Sequence, residues 1–227
     1  MLINNKNVYP FESKLDFLNF IDGKKKILIA LNAEKLNARN QELDKIINKN
    51  IGYADGIGAV LALKRKGIRS VKIAGAEFWL DVVRKFHKTK TFYLLGSTQQ
   101  VIEKTVSKLE IAYPNVIIKG YRNGYLNNGD ENMVLLELIK EKPDIVFVAM
   151  GSPRQEFVMD KFIKRYPALY MGLGGSFDVY CGEKKRAPKV IIKLGLEWLF
   201  RLLKEPTRIS RQLNLFQFFL KIVLNKI

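Results

Sequence analysis

In residues 150–162, "MGSPRQEFVMDKF", an Arg, a Gln and a Glu fill the first turn of a helix that should leave an apolar strand. Ser152 suits an N-cap, Pro153 the first helical position, and Gln155 completes a capping box. Capping does not account for Arg154, a cation in a first turn where the helix dipole disfavours positive charge. A bound anion would remove that conflict, so Arg154 and Gln155 read as ligand contacts, with Glu156 placed to orient them. A second stretch, "YADGIGAV", sets Asp55 at a strand-to-helix turn. A carboxylate there serves either as a cap or as a general base at the mouth of a cleft, with Asn32 of "LNAEK" emerging from a neighbouring strand. The third is "GLGGSFDVYCGEKKRAP", which carries Gly174, Gly175, Ser176, Asp178 and Arg186. Its polar segment of 13 residues, 176–188, is long for a connector between a core strand and a helix, and reads as a substrate or nucleotide loop. It is not a full dinucleotide fingerprint, and no GxxxxGK[ST] occurs to support a P-loop ATPase.

These groups need elements to position them, and the chain alternates strand and helix patterns almost throughout. "KKILIALNA", "SVKIAG", "TFYLLGS", "NVIIKGYRNGY", "DIVFVAMG" and "ALYMGLGG" read as strands, and "IGYADG" as a short extended piece. "EKLNARNQELDKIINKN" reads as one amphipathic helix, "AEFWLDVVRKFHK" as another, and "NNGDENMVLLELIKEKP" as a capped one. This alternation predicts right-handed βαβ units and an α/β fold with a parallel sheet. Ligands of such sheets bind beyond the carboxyl ends of the strands. That edge should present Gly96-Ser97, the "GYRNGY" turn with Tyr121, Gly151-Ser152 and Gly174-Gly175-Ser176, a convergence suited to nucleotide or phosphate. His87, on an apolar helix near Phe86, reads as structural.

Composition narrows the classes. Apolar residues at 48% and charged residues at 27% exclude wholesale disorder. One Cys (Cys181) and one His, far apart, give neither a disulfide framework nor a metal cluster, and fit a reducing cytoplasm. The opening residues are too polar for a secretory signal, and no run of about 18–20 apolar residues is present to span a bilayer. The formal charge of +17 is concentrated in residues 184–227, where eleven Lys and Arg face only Glu197 and Glu205. This tail reads as two helices broken at Pro206, the last with a polar stripe of Asn214, Gln217, Lys221 and Asn225 beside a wide apolar face. It could pack on the protein, contact nucleic acid, or lie in an anionic membrane surface. Trp198, Phe216, Phe218 and Phe219 among clustered cations favour the membrane. Residues 1–188 then form the core (about 1–90 an acceptor side, about 91–188 a nucleotide side), and 189–227 an amphipathic appendage.

Taken in order over residues 26–211, "LNAEKLNARN", "ADGIGAVLALK", "LLGS", "GYRNGY", "MGSPRQEF", "GLGGSFDVYCGEKKRAP" and "GLEWLFRLLKEPTRISR" resemble the successive motifs of the WecG/TagA/CpsF bacterial glycosyltransferases. The resemblance implies a Rossmann-like fold and an inverting transferase that needs no metal or other cofactor. Such an enzyme moves a sugar from a UDP-sugar to a polyprenyl-diphosphate-linked acceptor, peripheral at the cytoplasmic face of the membrane. It also implies Asp55 as base, Gln155 in the active site, and Arg201, Arg208 and Arg211 of the appendage closing over the diphosphate. Two positions depart from the family pattern. Ala30 stands where a Thr is frequent, and Lys72 where an Arg is frequent, which suggests a changed donor or acceptor. Nucleic acid is not expected as a partner, while a homo-oligomer stays open. A non-catalytic UDP-sugar-binding protein that recruits polysaccharide enzymes is the alternative.

Overall fold

The computed structural model describes residues 1–127, 129–184, 187–188, 191, 199–200, 202 and 209–224, with side chains of the last stretch from 216 onward. A two-stranded antiparallel hairpin, β1 (Leu2–Ile3) and β2 (Lys6–Asn7), precedes α1 (Lys14–Ile21). The chain then alternates: β3 (Ile27–Leu31), α2 (Ala33–Asn37), α3 (Gln41–Lys49), β4 (Ile51–Ala54), α4 (Ile57–Arg65), α5 (Gly75–Phe86) and β5 (Thr91–Gly96). It continues as α6 (Gln99–Ala112), β6 (Ile117–Arg122), α7 (Asp130–Glu141), β7 (Ile145–Ala149), α8 (Arg154–Ile163), β8 (Leu169–Gly172) and α9 (Ser176–Cys181). A C-terminal helix covers Ile209–Val223.

Six strands form one parallel sheet in the order β4-β3-β8-β7-β5-β6, so the fold is Rossmann-like α/β. Because side chains alternate along each strand, β3 sends Ile27, Ile29 and Leu31 to one face and Leu28 and Ala30 to the other. The first face is covered by α2, α3, α4, α7, α8 and the C-terminal helix, and the second by α1, α5, α6 and α9. Both faces being covered is what makes β7, Ile145–Ala149, apolar without interruption. Connections from β5 and β7 run in opposite directions, β5 to β6 and β7 to β8. The switch point therefore lies between β5 and β7, above Gly96 and Ala149.

Four local expectations change. "EKLNARNQELDKIINKN" is two helices: buried Lys6 takes the Ala38 carbonyl at 2.8 Å, and Asn40 caps α3 by accepting from the Leu43 N–H at 3.0 Å. "SVKIAG" is not a strand. Its backbone is held by two bonds that form no ladder, the Val71 N–H to the Phe11 carbonyl and the Ile73 N–H to the Ala54 carbonyl, both at 2.9 Å, before α5 begins at Gly75. α7 starts at a left-handed Gly129 with no side-chain cap. The polar segment at 176–188 contains α9, because Phe177 is fully buried against Trp79 and pins one helical turn there.

The fold makes one steric demand that can be measured. A Cβ at Gly52 would collide with the Leu31 side chain and the Asn7 carbonyl, the latter backbone that cannot yield. Gly52→Ala is expected to destabilise by about 1–3 kcal/mol in urea denaturation.

Candidate active site

The β3–β4 register pairs Ala30 with Tyr53 and Leu31 with Ala54. Asn32 and Asp55 are the next residues on each strand, so they leave the sheet side by side at its carboxyl edge. The Asp55 N–H donates to the Leu31 carbonyl at 3.0 Å, which continues the ladder one step past β4. Asp55 is half-buried and precedes the helix cap, which is Gly56 at φ 104°. Its carboxylate is thus not the N-cap of α4. Asn32 is a cap: its Oδ1 accepts from the Lys35 N–H at 2.8 Å and starts α2. The segment carrying Lys72 reaches the same edge through the bond of Ile73 to Ala54.

The opening motif behaves differently from the expected capping box. Pro153 takes the N-cap position after a cis Ser152-Pro153 bond, no side chain caps α8, and Ser152 and Arg154 are exposed. Gln155 turns inward instead, 4% exposed. Its Oε1 accepts from the Gly174 N–H at 2.8 Å, and its Nε2 donates to Glu156 Oε1 at 3.2 Å. Glu156, 1% exposed, receives Lys35 Nζ on the same oxygen at 2.8 Å. A continuous polar chain therefore runs Lys35–Glu156–Gln155–Gly174, from the helix that Asn32 starts to the glycine turn after β8. Glu156 Oε2 is buried with no protein partner.

At the switch point the glycines do steric work. Gly96 at φ 140° leaves no room for a Cβ, which would strike the Ala149 backbone. Ser97, at φ 55°, donates its N–H to the Ala149 carbonyl at 3.0 Å and its Oγ to Asp178 Oδ2 at 3.3 Å. Gly124 donates its N–H to the Ser97 carbonyl at 2.9 Å. Of the expected "GYRNGY" contacts, Tyr121 is not at the tip. It lies within edge strand β6, in register with Leu94, and is exposed there, so Gly124 makes the approach in its place. Gly151 stands at the β7 end, and Gly174, Gly175 and buried Ser176 form the β8 turn, with Asp178 reaching from α9 to Ser97. Arg186, Arg201 and Arg208 lie outside the described residues; Arg211 is in the C-terminal helix.

Two features escaped sequence reasoning. Lys35 lies inside "LNAEK" but was given no role there, and only the fold brings it to Glu156, 121 positions later. Tyr53 is fully buried on the same sheet face as Asp55, and its hydroxyl has no partner. Burial lifts its phenol well above the ordinary tyrosine range, and the carboxylates of Asp55 and Glu156 push it the same way, so it stays protonated.

The C-terminal helix contacts α2 and α4, the two helices that start from Asn32 and Gly56. Phe218 and Ile222 are buried there, beside small Gly58 and Ala33, and Lys221 Nζ donates to Asn37 Oδ1 at 2.7 Å. Part of the apolar face thus packs on the protein, and Lys221 of the polar stripe is bonded to it. Phe216, Leu220, Val223 and Leu224 remain exposed. No helix among the described residues is long and apolar enough to cross a membrane.

This geometry can hold an anion along the glycine turns and an activated hydroxyl at the Asn32–Asp55 pair. Compared with known families, residues 9–227 match the one described as the glycosyl transferase WecG/TagA/CpsF family.

The Lys35–Glu156 pair is open to direct test. Removing one partner of a buried ion pair leaves the other charge stranded, at a cost of about 3–5 kcal/mol. Lys35→Met should lower stability on that scale in denaturant melts, and adding Glu156→Gln should restore most of it. Equal stability of Lys35→Met and the parent would show that Glu156 does not depend on Lys35.

Proposed function

The chain belongs to the WecG/TagA/CpsF family of glycosyltransferases, enzymes of cell-surface polysaccharide synthesis, and we propose that it transfers a sugar from a UDP-sugar to a polyprenyl-diphosphate-linked saccharide with inversion at the anomeric carbon. The observation that carries this reading is the register-enforced pairing of Asn32 with Asp55. It stands at one end of a buried polar chain whose other end is the Gly174 turn.

The donor's diphosphate lies over the turns at Ser97, Gly151 and Gly174–Ser176, and its sugar extends toward β3 and β4. An acceptor hydroxyl is too weak an acid to attack unaided, and Asp55 takes its proton as the oxygen bonds to C1. The C1–oxygen bond to the diphosphate breaks on the opposite side, and its electron pair leaves with UDP. Gln155, held rigid by Gly174 and Glu156, keeps the glycine turn in place and faces the donor. Charge growing on UDP calls for cations. Arg201, Arg208 and Arg211, with Arg154 at the rim, supply it in forked form, and Lys72 adds a point charge near Asp55. On this reading the side chains meet the growing charge and no metal ion is required.

The exposed row of Phe216, Leu220, Val223 and Leu224 supports a peripheral station on an anionic membrane surface, where the lipid acceptor is found. Docking the same helix on α2 and α4 links that surface to the catalytic edge.

The test is incubation with a panel of UDP-sugars and a short polyprenyl-diphosphate-sugar acceptor, with chelator present, and detection of product by mass. Asp55→Asn should lower kcat by about 100-fold or more while the Kd for UDP stays within about twofold. An Asp55→Asn variant that turns over normally removes Asp55 as base. UDP binding with no transfer to any acceptor favours a non-catalytic UDP-sugar-binding protein.

A further inference from the structure

α2 and α4 meet directly after the Asn32–Asp55 pair. Ala33 follows Asn32 at the start of α2, and Gly58 stands in the first turn of α4, three residues after Asp55. The two helices are so close that a Cβ on Gly58 would lie 2.9 Å from the Ala33 Cβ. The same Cβ would be 3.7 Å from the Phe218 ring, so this ring covers the seam between the helices. Phe218 is wholly buried, and Ile222 and Phe219 belong to the same core. One turn on, Lys221 Nζ donates to Asn37 Oδ1 at 2.7 Å, at the other end of α2.

Neither helix holds this geometry by itself. α2 has five residues, well short of the length at which a helix is stable without tertiary contacts. Lys6 ties its carboxyl end, at 2.8 Å to the Ala38 carbonyl and 3.4 Å to that of Leu36, and Lys35 ties it to Glu156. α4 starts at Gly56, φ 104°, with no side-chain cap. The ladder between β3 and β4 fixes the two strand ends, and its last rung is the Asp55 N–H to the Leu31 carbonyl. Past that rung, the contact of Ala33 with Gly58 sets how the two helices leave the sheet. The C-terminal helix is what packs on that contact.

We propose that Phe218 is a positioning residue: its ring, seated over Ala33 and Gly58, fixes the orientation of Asn32 relative to Asp55. This rests on the transferase reading and gives the C-terminal helix a role separate from its cations and its outward apolar row. A base works only within hydrogen-bond reach of the hydroxyl it deprotonates, and a misplacement of about 1 Å can cost about 100-fold in rate. Loosening the seam slows the chemical step. It spares the turns at Ser97, Gly151 and Gly174, which follow other strands of the sheet.

The test combines transfer kinetics on the full chain with a short water-soluble acceptor and no vesicles, calorimetric titration with UDP, and amide hydrogen exchange. Leaving out vesicles removes lipid docking as a cause of any change. Phe218→Ala should lower kcat by about 10–100-fold, keep the Kd for UDP within about twofold, and speed exchange at the Leu36 and Ala38 amides of α2. Phe218→Leu, which keeps an apolar side chain on the seam, should retain kcat within about threefold. Lys221→Met breaks only the bond to Asn37 and carries the test if Phe218→Ala folds poorly: kcat should fall about threefold with UDP affinity unchanged. Parent kcat and parent exchange rates in Phe218→Ala overturn the proposal. A loss of UDP affinity that matches the loss of kcat overturns it too, because the helix then acts through cations on the diphosphate. The transferase reading fails separately: a parent chain that transfers to no acceptor rejects the reaction, while exchange at α2 still decides whether Phe218 holds that helix.

Discussion

A carboxylate buried to 1% exposure, that of Glu156, holds the edge of this sheet together. Moving an ion of this size out of water costs several kcal/mol, and the cost is tolerable only with a counter-charge and further hydrogen bonds in good geometry. Lys35 supplies the first and Gln155 the second, both on one oxygen. Three separate pieces of chain are thereby held in register: α2, α8 and, through Gln155, the turn at Gly174. Neither side chain of the "QE" pair is free to point at solvent, so the first turn of α8 is a fixed wall.

On that wall depends the division of the site into two parts. Toward β5 and β7, glycines without side chains let backbone segments approach closely, with Ser97 and Asp178 linking the β5 turn to α9 beyond β8. Toward β3 and β4, the parallel register sets Asn32 beside Asp55, and the pleat sets Tyr53 beneath Asp55. In the proposed reaction, chemistry falls at one end of the sheet edge and nucleotide at the other. The polar chain through Glu156 fixes the span between them.

The C-terminal helix fits the same plan. Packing Phe218 against Gly58 needs small residues at the α2–α4 contact, and Ala33 and Gly58 provide them. What the core does not bury, chiefly Phe216 and Val223, is left as an apolar row on the outside. One helix therefore has an inward face matched to the scaffold and an outward face suited to a lipid surface.

How much of this was legible follows from the range of the forces involved. Strand and helix periodicity, the parallel sheet and the glycine-ended strands are local patterns, and the structure bears them out for five of the six strands read as such. The exception, "SVKIAG", has strand propensity, but its backbone bonds are split between Phe11 and Ala54 and build no ladder. The break at Ala38–Asn40 was hidden because the partner of its carbonyl, Lys6, comes from the hairpin far upstream. "SPRQ" looked like a capping box because Ser, Pro and Gln have the right spacing, whereas the burial of Gln155 is set by Gly174, nineteen positions away. Residue order by itself determined the fold class, the family and the presence of Asn32 and Asp55 at strand ends and of Gln155 in the first turn of the helix after β7. Tertiary structure alone decided that Lys35 would neutralise Glu156, that Gly124 rather than Tyr121 would meet Ser97, and that Tyr53 would be buried without a partner. Burial and pairing depend on which distant surfaces meet, and no local spacing in the chain encodes them.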